Sequence, residues 1–195
     1  MSKSTRLPAP PVAERRAHSF THHGITIEDP YHWLRDQGYP SVEDSDVLAY
    51  LEAENAYFET AMAPCKDLID TIFEEIKARQ KPDDVSVPVK DGKFFYQWRY
   101  EEGAQYRVWR RWPIDHPKVV EIILDEPALA EGHDYFALGS FSVSDDGGYL
   151  AYSTDTSGAE RYTLHVKDLS DGRVLDDSIE NTRGDAIWAA DNKTF

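Results

Sequence analysis

The side chains in this sequence that could do chemistry fall into a few small groups. His18, His22, His23 and His32 crowd one stretch, and imidazoles at that density raise a metal site. Metal ligands recur at set intervals with Cys or carboxylates, and no such interval is present, so packing or hydrogen bonding is the expected role and no metal is expected. Asp83 and Asp84 could act as paired carboxylates, but adjacent acids ahead of a strand serve as turn and cap residues. Glu131-Gly132-His133-Asp134 sets an imidazole beside an acid. General-base work also needs a nucleophile within hydrogen-bond reach, and nothing in the sequence marks one. Gly139-Ser140 and Ser157-Gly158 are the places to look for a serine nucleophile, yet neither belongs to a Gly-x-Ser-x-Gly strand-to-helix elbow. No catalytic residue is therefore assigned in this chain, and no substrate-binding residue either.

Phosphate-binding loops, Gly-x-Gly-x-x-Gly and zinc spacings are absent from the sequence, so no cofactor is expected. Trp98, Trp109, Trp112 and Trp188 could line a ligand cleft, but filling the space between packed sheets is their expected role. The net charge is −15, distributed as −5 over residues 1–81 and −10 over 82–195. Such a field repels phosphate backbones, which argues against nucleic acid as a partner. It suits cationic ligands such as short basic peptides, and equally a solvated acidic surface. The single cysteine, Cys65, fits a reducing compartment. The N-terminal stretch lacks the apolar segment of a signal peptide, and no run approaches the roughly 18 apolar residues of a membrane span. A cytoplasmic protein with no membrane partner is the expectation.

The elements that must position these residues are read from periodicity. After a Pro- and Ala-rich start, Ile25 and Ile27 suggest a brief strand, Asp29-Pro30 a turn, and Tyr31-His32-Trp33-Leu34 an apolar anchor. A helix is expected over residues 45–62, with Val47, Tyr50, Leu51, Tyr57, Phe58, Ala61 and Met62 on one face and Asp44 to Asp46 at its start. A second helix follows Pro64, carries Leu68, Ile69, Ile72, Phe73 and Ile76, and stops at Pro82. From Asp83 the texture turns to β. Strands are expected at 85–89, 94–100, 106–111 and 119–124, with a loop over 125–135. Three further strands fall within 136–168, around Asp146-Gly147 and Ser157-Gly158 turns, with another hairpin turn at Asp171-Gly172.

The pattern then returns. Ser144-Asp145-Asp146-Gly147 is echoed by Ala190-Asp191-Asn192-Lys193 an interval of 46 residues later, and more weakly by Asp91-Gly92 before it. Recurrence at about 40 to 50 residues with four strands per unit is the mark of β-propeller blades. The expected fold class is mixed: a helical segment over 1–81, then an incomplete propeller over 82–195 with two blades and the start of a third. A propeller closes with about four to eight blades, so the chain reads as the front of a longer protein.

The order of features resembles the prolyl oligopeptidase family of serine peptidases. The resemblance rests on His22-His23-Gly24, Asp29 through Asp36 and Tyr50 through Tyr57. Asp83 through Pro88, Glu131 through Phe136, Val143-Ser144 with Leu150 through Gly158, Tyr162-Thr163-Leu164 and Trp188 through Asn192 are similar to its oligopeptidase B group. Dipeptidyl and acylaminoacyl peptidases of the same clan fit these stretches less well. The resemblance implies that the N-terminal segment packs on an α/β-hydrolase domain encoded downstream, and that the propeller has seven blades and gates access for short peptides cut after Arg or Lys. It also implies that the Ser, Asp and His of the triad lie in that absent domain, leaving this portion inactive alone. A propeller-type binding module, or a truncated chain without function, stands as the alternative.

Overall fold

The computed structural model describes residues 8–194. The chain divides after Gln80 into two compact units.

The first unit opens with a hairpin, β1 (Ser19–His22) and β2 (Ile25–Glu28), whose two turn residues His23 and Gly24 both have positive φ, 53° and 77°. That is the backbone a two-residue turn needs to match strand twist. The anchor at 31–34 becomes a short 3₁₀ turn, His32–Leu34. Trp33 Nε1 donates to the Glu14 carbonyl at 2.8 Å, and the Arg16 guanidinium lies 4.1 Å over the Trp33 ring while reaching Asp46 at 2.8 Å. The Asp36 carboxylate accepts from the backbone N–H groups of Gly38, Glu43 and Asp44, which fixes the approach to the first helix. That helix, α1 (Ser45–Met62), is N-capped by Asp44, whose side chain accepts from Asp46 N and Val47 N. A 3₁₀ turn holding Pro64 leads into α2 (Lys66–Arg79), with Lys77 and Arg79 in the last turn where the helix dipole favours cations. Both helices fall where periodicity put them, but their apolar faces are not covered. Val47 is buried, whereas Phe58, Leu68 and Phe73 are each 58–60% exposed.

The second unit is two antiparallel meanders. The first, blade 1, has β3 (Val89–Asp91), β4 (Phe94–Tyr100), β5 (Arg107–Pro113) and β6 (Glu121–Asp125) in spatial order. The second, blade 2, has β7 (Ala137–Val143), β8 (Tyr149–Asp155), β9 (Tyr162–Asp168) and β10 (Val174–Thr182), again in order. Three details differ from expectation. The strand expected at 85–89 is broken: Val85 bridges Arg99, the ladder then lapses at Pro88, which has no N–H to give, and pairing resumes at Val89. The 125–135 loop contains a helix, α3 (Glu126–Ala130), capped by the Asp125 side chain on Ala128 N with Pro127 in its first turn. The strand β10 lies outside the expected strands, because its exposed edge position requires no alternation in Val174-Leu175-Asp176-Asp177-Ser178.

The start of a third blade, expected over 188–195, is a turn among the described residues, and Phe195 lies outside them. Asp191 accepts from the N–H groups of Lys193 and Thr194, while Trp188 Nε1 donates to the Ser142 carbonyl at 2.9 Å. Asn192 Oδ1 accepts from Asp146 N at 3.2 Å. Both of these long-range contacts join positions 46 residues apart, so the sequence repeat appears as touching equivalent positions.

The core lies at the seam between the blades. Ile123 and Leu124 of β6 meet Leu150, Tyr152 and Leu169 of blade 2, all at most 8% exposed. Trp109 stacks on Phe141 across the same seam, ring centroids 4.1 Å apart. Burying these faces against each other is what lets two half-covered sheets hold together.

Candidate functional site

The structure places each chemistry-bearing group, and most are consumed by the fold. His18, His22 and His32 line one open cleft in the first unit with Phe20, Asp29, Tyr31 and Arg35. The His18 and His32 rings stack at 3.8 Å and 4°, a packing arrangement rather than convergence on one point. Among the described residues no three His, Cys, Asp or Glu side chains are grouped to hold a metal. In the second unit Asp84 stands ahead of β3, beside the isolated Val85 bridge: its side chain accepts from Val85 N and its carbonyl from Tyr100 N. Glu131, His133 and Asp134 are exposed in the turn after α3, with Gly132 at φ 82°.

Serine chemistry is likewise structural. Ser157 donates its hydroxyl to Asp155 Oδ1 at 2.6 Å inside the β8–β9 turn. Gly139-Ser140 forms a bulge in β7 opposite β8: Ser140 N donates to Ser153 Oγ at 2.9 Å, and Ser153 Oγ donates to the Gly184 carbonyl at 2.7 Å. Gly139 has no room for a side chain, since a Cβ there would come within 2.6 Å of the Tyr162 ring. Among the described residues no serine, threonine or cysteine side chain is hydrogen-bonded to a histidine. The tryptophans pack. Trp109 donates Nε1 to the buried Glu126 carboxylate at 2.6 Å, Trp112 stacks on Phe95, and Trp98 meets Tyr100 edge-on beneath the Arg107 guanidinium.

Burial raises the Tyr96, Tyr152 and Tyr162 hydroxyls, and it also acts on an acid and an imidazole. Burial works to raise Asp155, but donors from Ser157, Glu160 and Gly158 outweigh it and hold the carboxyl below its ordinary value. Burial lowers His165, whose ring faces Tyr152 at 5.4 Å.

What sequence reasoning did not single out is a charge asymmetry between the two ends of the blade pair. One end carries the β4–β5 turn, the α3 connection and the β8–β9 turn, bearing the exposed Glu101, Glu102, Glu131, Asp134 and Glu160 against Arg161, with Arg99 paired to Glu101 and Arg183 following β10 at the same end. The other end carries the β3–β4, β5–β6, β7–β8 and β9–β10 turns, in which Lys93, Lys118 and Arg173 offset the aspartates. Only strand order reveals that these dispersed acids share an end.

Consecutive four-stranded antiparallel meanders packed face to face define a β-propeller class of domain. The chain belongs to the prolyl oligopeptidase family: residues 10–195 match its N-terminal beta-propeller domain. It is 36% identical to dipeptidyl aminopeptidase BI of Pseudoxanthomonas mexicana, over 95% of this chain and 28% of that protein. Protease 2 of Moraxella lacunata is 33% identical over 88% of this chain and 25% of its own length. Among solved structures, oligopeptidase B from Leishmania major superposes with a TM-score of 0.76 at 28% identity, covering 92% of this chain and 27% of that one. The chain thus spans about a quarter of the length of the relatives it matches. The two named relatives are of comparable identity, so they single out no branch within the family.

Proposed function

We infer that this chain is the N-terminal part of a serine-type oligopeptidase that hydrolyses short peptides, with cleavage after Arg or Lys. In this reading residues 1–81 pack on an α/β-hydrolase domain that carries the triad, and residues 82–195 begin a seven-bladed propeller that gates access to it in a cytoplasmic enzyme. The observation that carries the reading is the family match over residues 10–195, which takes in both units. Three features support it. The exposed apolar stripes of α1 and α2, with Leu51, Phe58, Leu68, Ile72 and Phe73, require a covering surface that their own unit does not supply. The acidic loops at one end of the blades give a cationic peptide a favourable field. No helix among the described residues is long and apolar enough to cross a membrane.

Incubating the 195-residue chain with an Arg-containing dipeptidyl fluorogenic substrate tests the assignment of the triad elsewhere. No turnover above background is expected. Turnover abolished by a serine-directed inhibitor would place a nucleophile in this chain and overturn the assignment.

A further inference from the structure

Two cations cross the seam between the blades in opposite directions, and both end on backbone carbonyls. Arg111 of β5, 4% exposed, sends Nη1 to the Gly147 carbonyl in the β7–β8 turn at 2.6 Å. Lys167 of β9 sends Nζ back to the Ile123 carbonyl of β6 at 3.1 Å. A charged donor makes a stronger and more directional bond than a neutral one, and the burial of Arg111 keeps water from competing for it.

The Arg111 end is a built node. Its guanidinium lies 4.1 Å over the Phe94 ring, and Nη2 stands 3.3 Å from Glu121 Oε2. Phe94 in turn lies against Gly147, where a Cβ would approach the ring to 2.9 Å. Gly147, at φ 77°, therefore turns the hairpin, admits Phe94 and accepts Arg111 at once. Chain direction sets both clamps toward one end of the seam, the end where β5 finishes, β6 starts and β7 and β9 finish. Toward the other end the blades meet through rings, with Tyr106 edge-on to Phe136 at 5.2 Å.

We propose that Arg111 and Lys167 form a reciprocal clamp that sets the angle between the two blades from one end of the seam. Releasing either cation splays the blades at that end, while the ring-packed end serves as the pivot. The device belongs to the seam itself and stands whether or not the peptidase reading does. Its consequence is mechanical, because in a propeller the angle between neighbouring blades fixes the width of the central channel.

Pulsed electron spin resonance on the 195-residue chain tests it. In a Cys65→Ser background, which removes the exposed native thiol, one label pair at Lys118→Cys and Arg173→Cys reports the clamped end. A second pair at Glu102→Cys and Thr156→Cys reports the ring-packed end. Arg111→Met and, separately, Lys167→Met should at least double the width of the distance distribution at the clamped end and leave the other end unchanged. Lys167→Met preserves the Phe94, Arg111 and Gly147 node, so it keeps the test open should Arg111→Met not fold. Unchanged widths at both ends, or equal broadening at both, would overturn the proposal.

Discussion

Replacing Leu150 with Ala tests where the second unit keeps its stability. Leu150 is fully buried and sits among Ile123 and Leu124 of one blade and Tyr152 and Leu169 of the other. Leu→Ala removes three carbons, worth about 2.4 kcal/mol at about 0.8 kcal/mol each. A cavity term of about 24 cal/mol per Å³ adds to this, because strands fixed on both sides of the seam cannot collapse into the gap. A loss of about 3 to 4 kcal/mol is expected. The comparison is Ile72→Ala on α2, a residue 46% exposed and without buried neighbours on its helix, where a loss under about 1 kcal/mol is expected. Urea unfolding followed by tryptophan fluorescence, which Trp98, Trp109, Trp112 and Trp188 place largely in the second unit, reads the first change; far-ultraviolet circular dichroism reads the second. A loss below about 1 kcal/mol for Leu150→Ala, or an equal loss for Ile72→Ala, would refute a stability centred on the seam.

Other perturbations follow from the same contacts. Gly139→Ala drives a methyl into the Tyr162 ring and should cost about 1 to 3 kcal/mol in the urea midpoint analysis, more than Gly24→Ala, where only the positive φ opposes the change. Asp44→Ala removes the N-cap of α1 and should cost about 1 kcal/mol, seen as lost helical signal on warming. Burial depresses His165, so its neutral form belongs to the folded state: the contribution is present above the ordinary imidazole value of 6.5 and is lost as pH falls below that value and through the lower folded one. His165→Gln should flatten that part of a stability-versus-pH curve. Asp155 is also depressed, so its contribution is present above the ordinary carboxyl value of 3.8 and disappears as pH falls below it, and Asp155→Asn should remove that acid limb.

Elements whose two faces differ in polarity were legible in the sequence. The strand β9 alternates Tyr162, Leu164 and Val166 with Thr163, His165 and Lys167 because Leu164 and Val166 share one face with Tyr149 and Trp188 while His165 and Lys167 lie on the seam face beside Tyr152 and Leu150. The helices α1 and α2 were legible from their stripes, but not the exposure of those stripes, since spacing says that a face wants cover and not whether its own unit provides it. At the sheet edges the signal fails: β10, the last strand of its blade, faces solvent along most of its length, and β3, the first of the other, is short and preceded by Pro88. The repeat at 46 residues was visible because adjacent blades place the same turn side by side, as Asp146 and Asn192 now do. For the candidate site, the crowding of the histidines was legible in the sequence, but the stacking of His18 on His32 was not, because it depends on how the β1–β2 hairpin and the 3₁₀ turn meet. The acidic end was invisible because its residues come from three separate turns and meet only through strand order.

The central claim is that this chain carries the gate of a peptidase whose catalytic groups are encoded further on. The most direct measurement is the coding sequence that follows Phe195 in the source genome. The account predicts an open frame running through about five more blades into a Gly-x-Ser-x-Gly elbow, then an Asp and a His in that order. A stop codon at that point, or a frame that continues without a hydrolase, would contradict it and leave membership of the family without the chemistry.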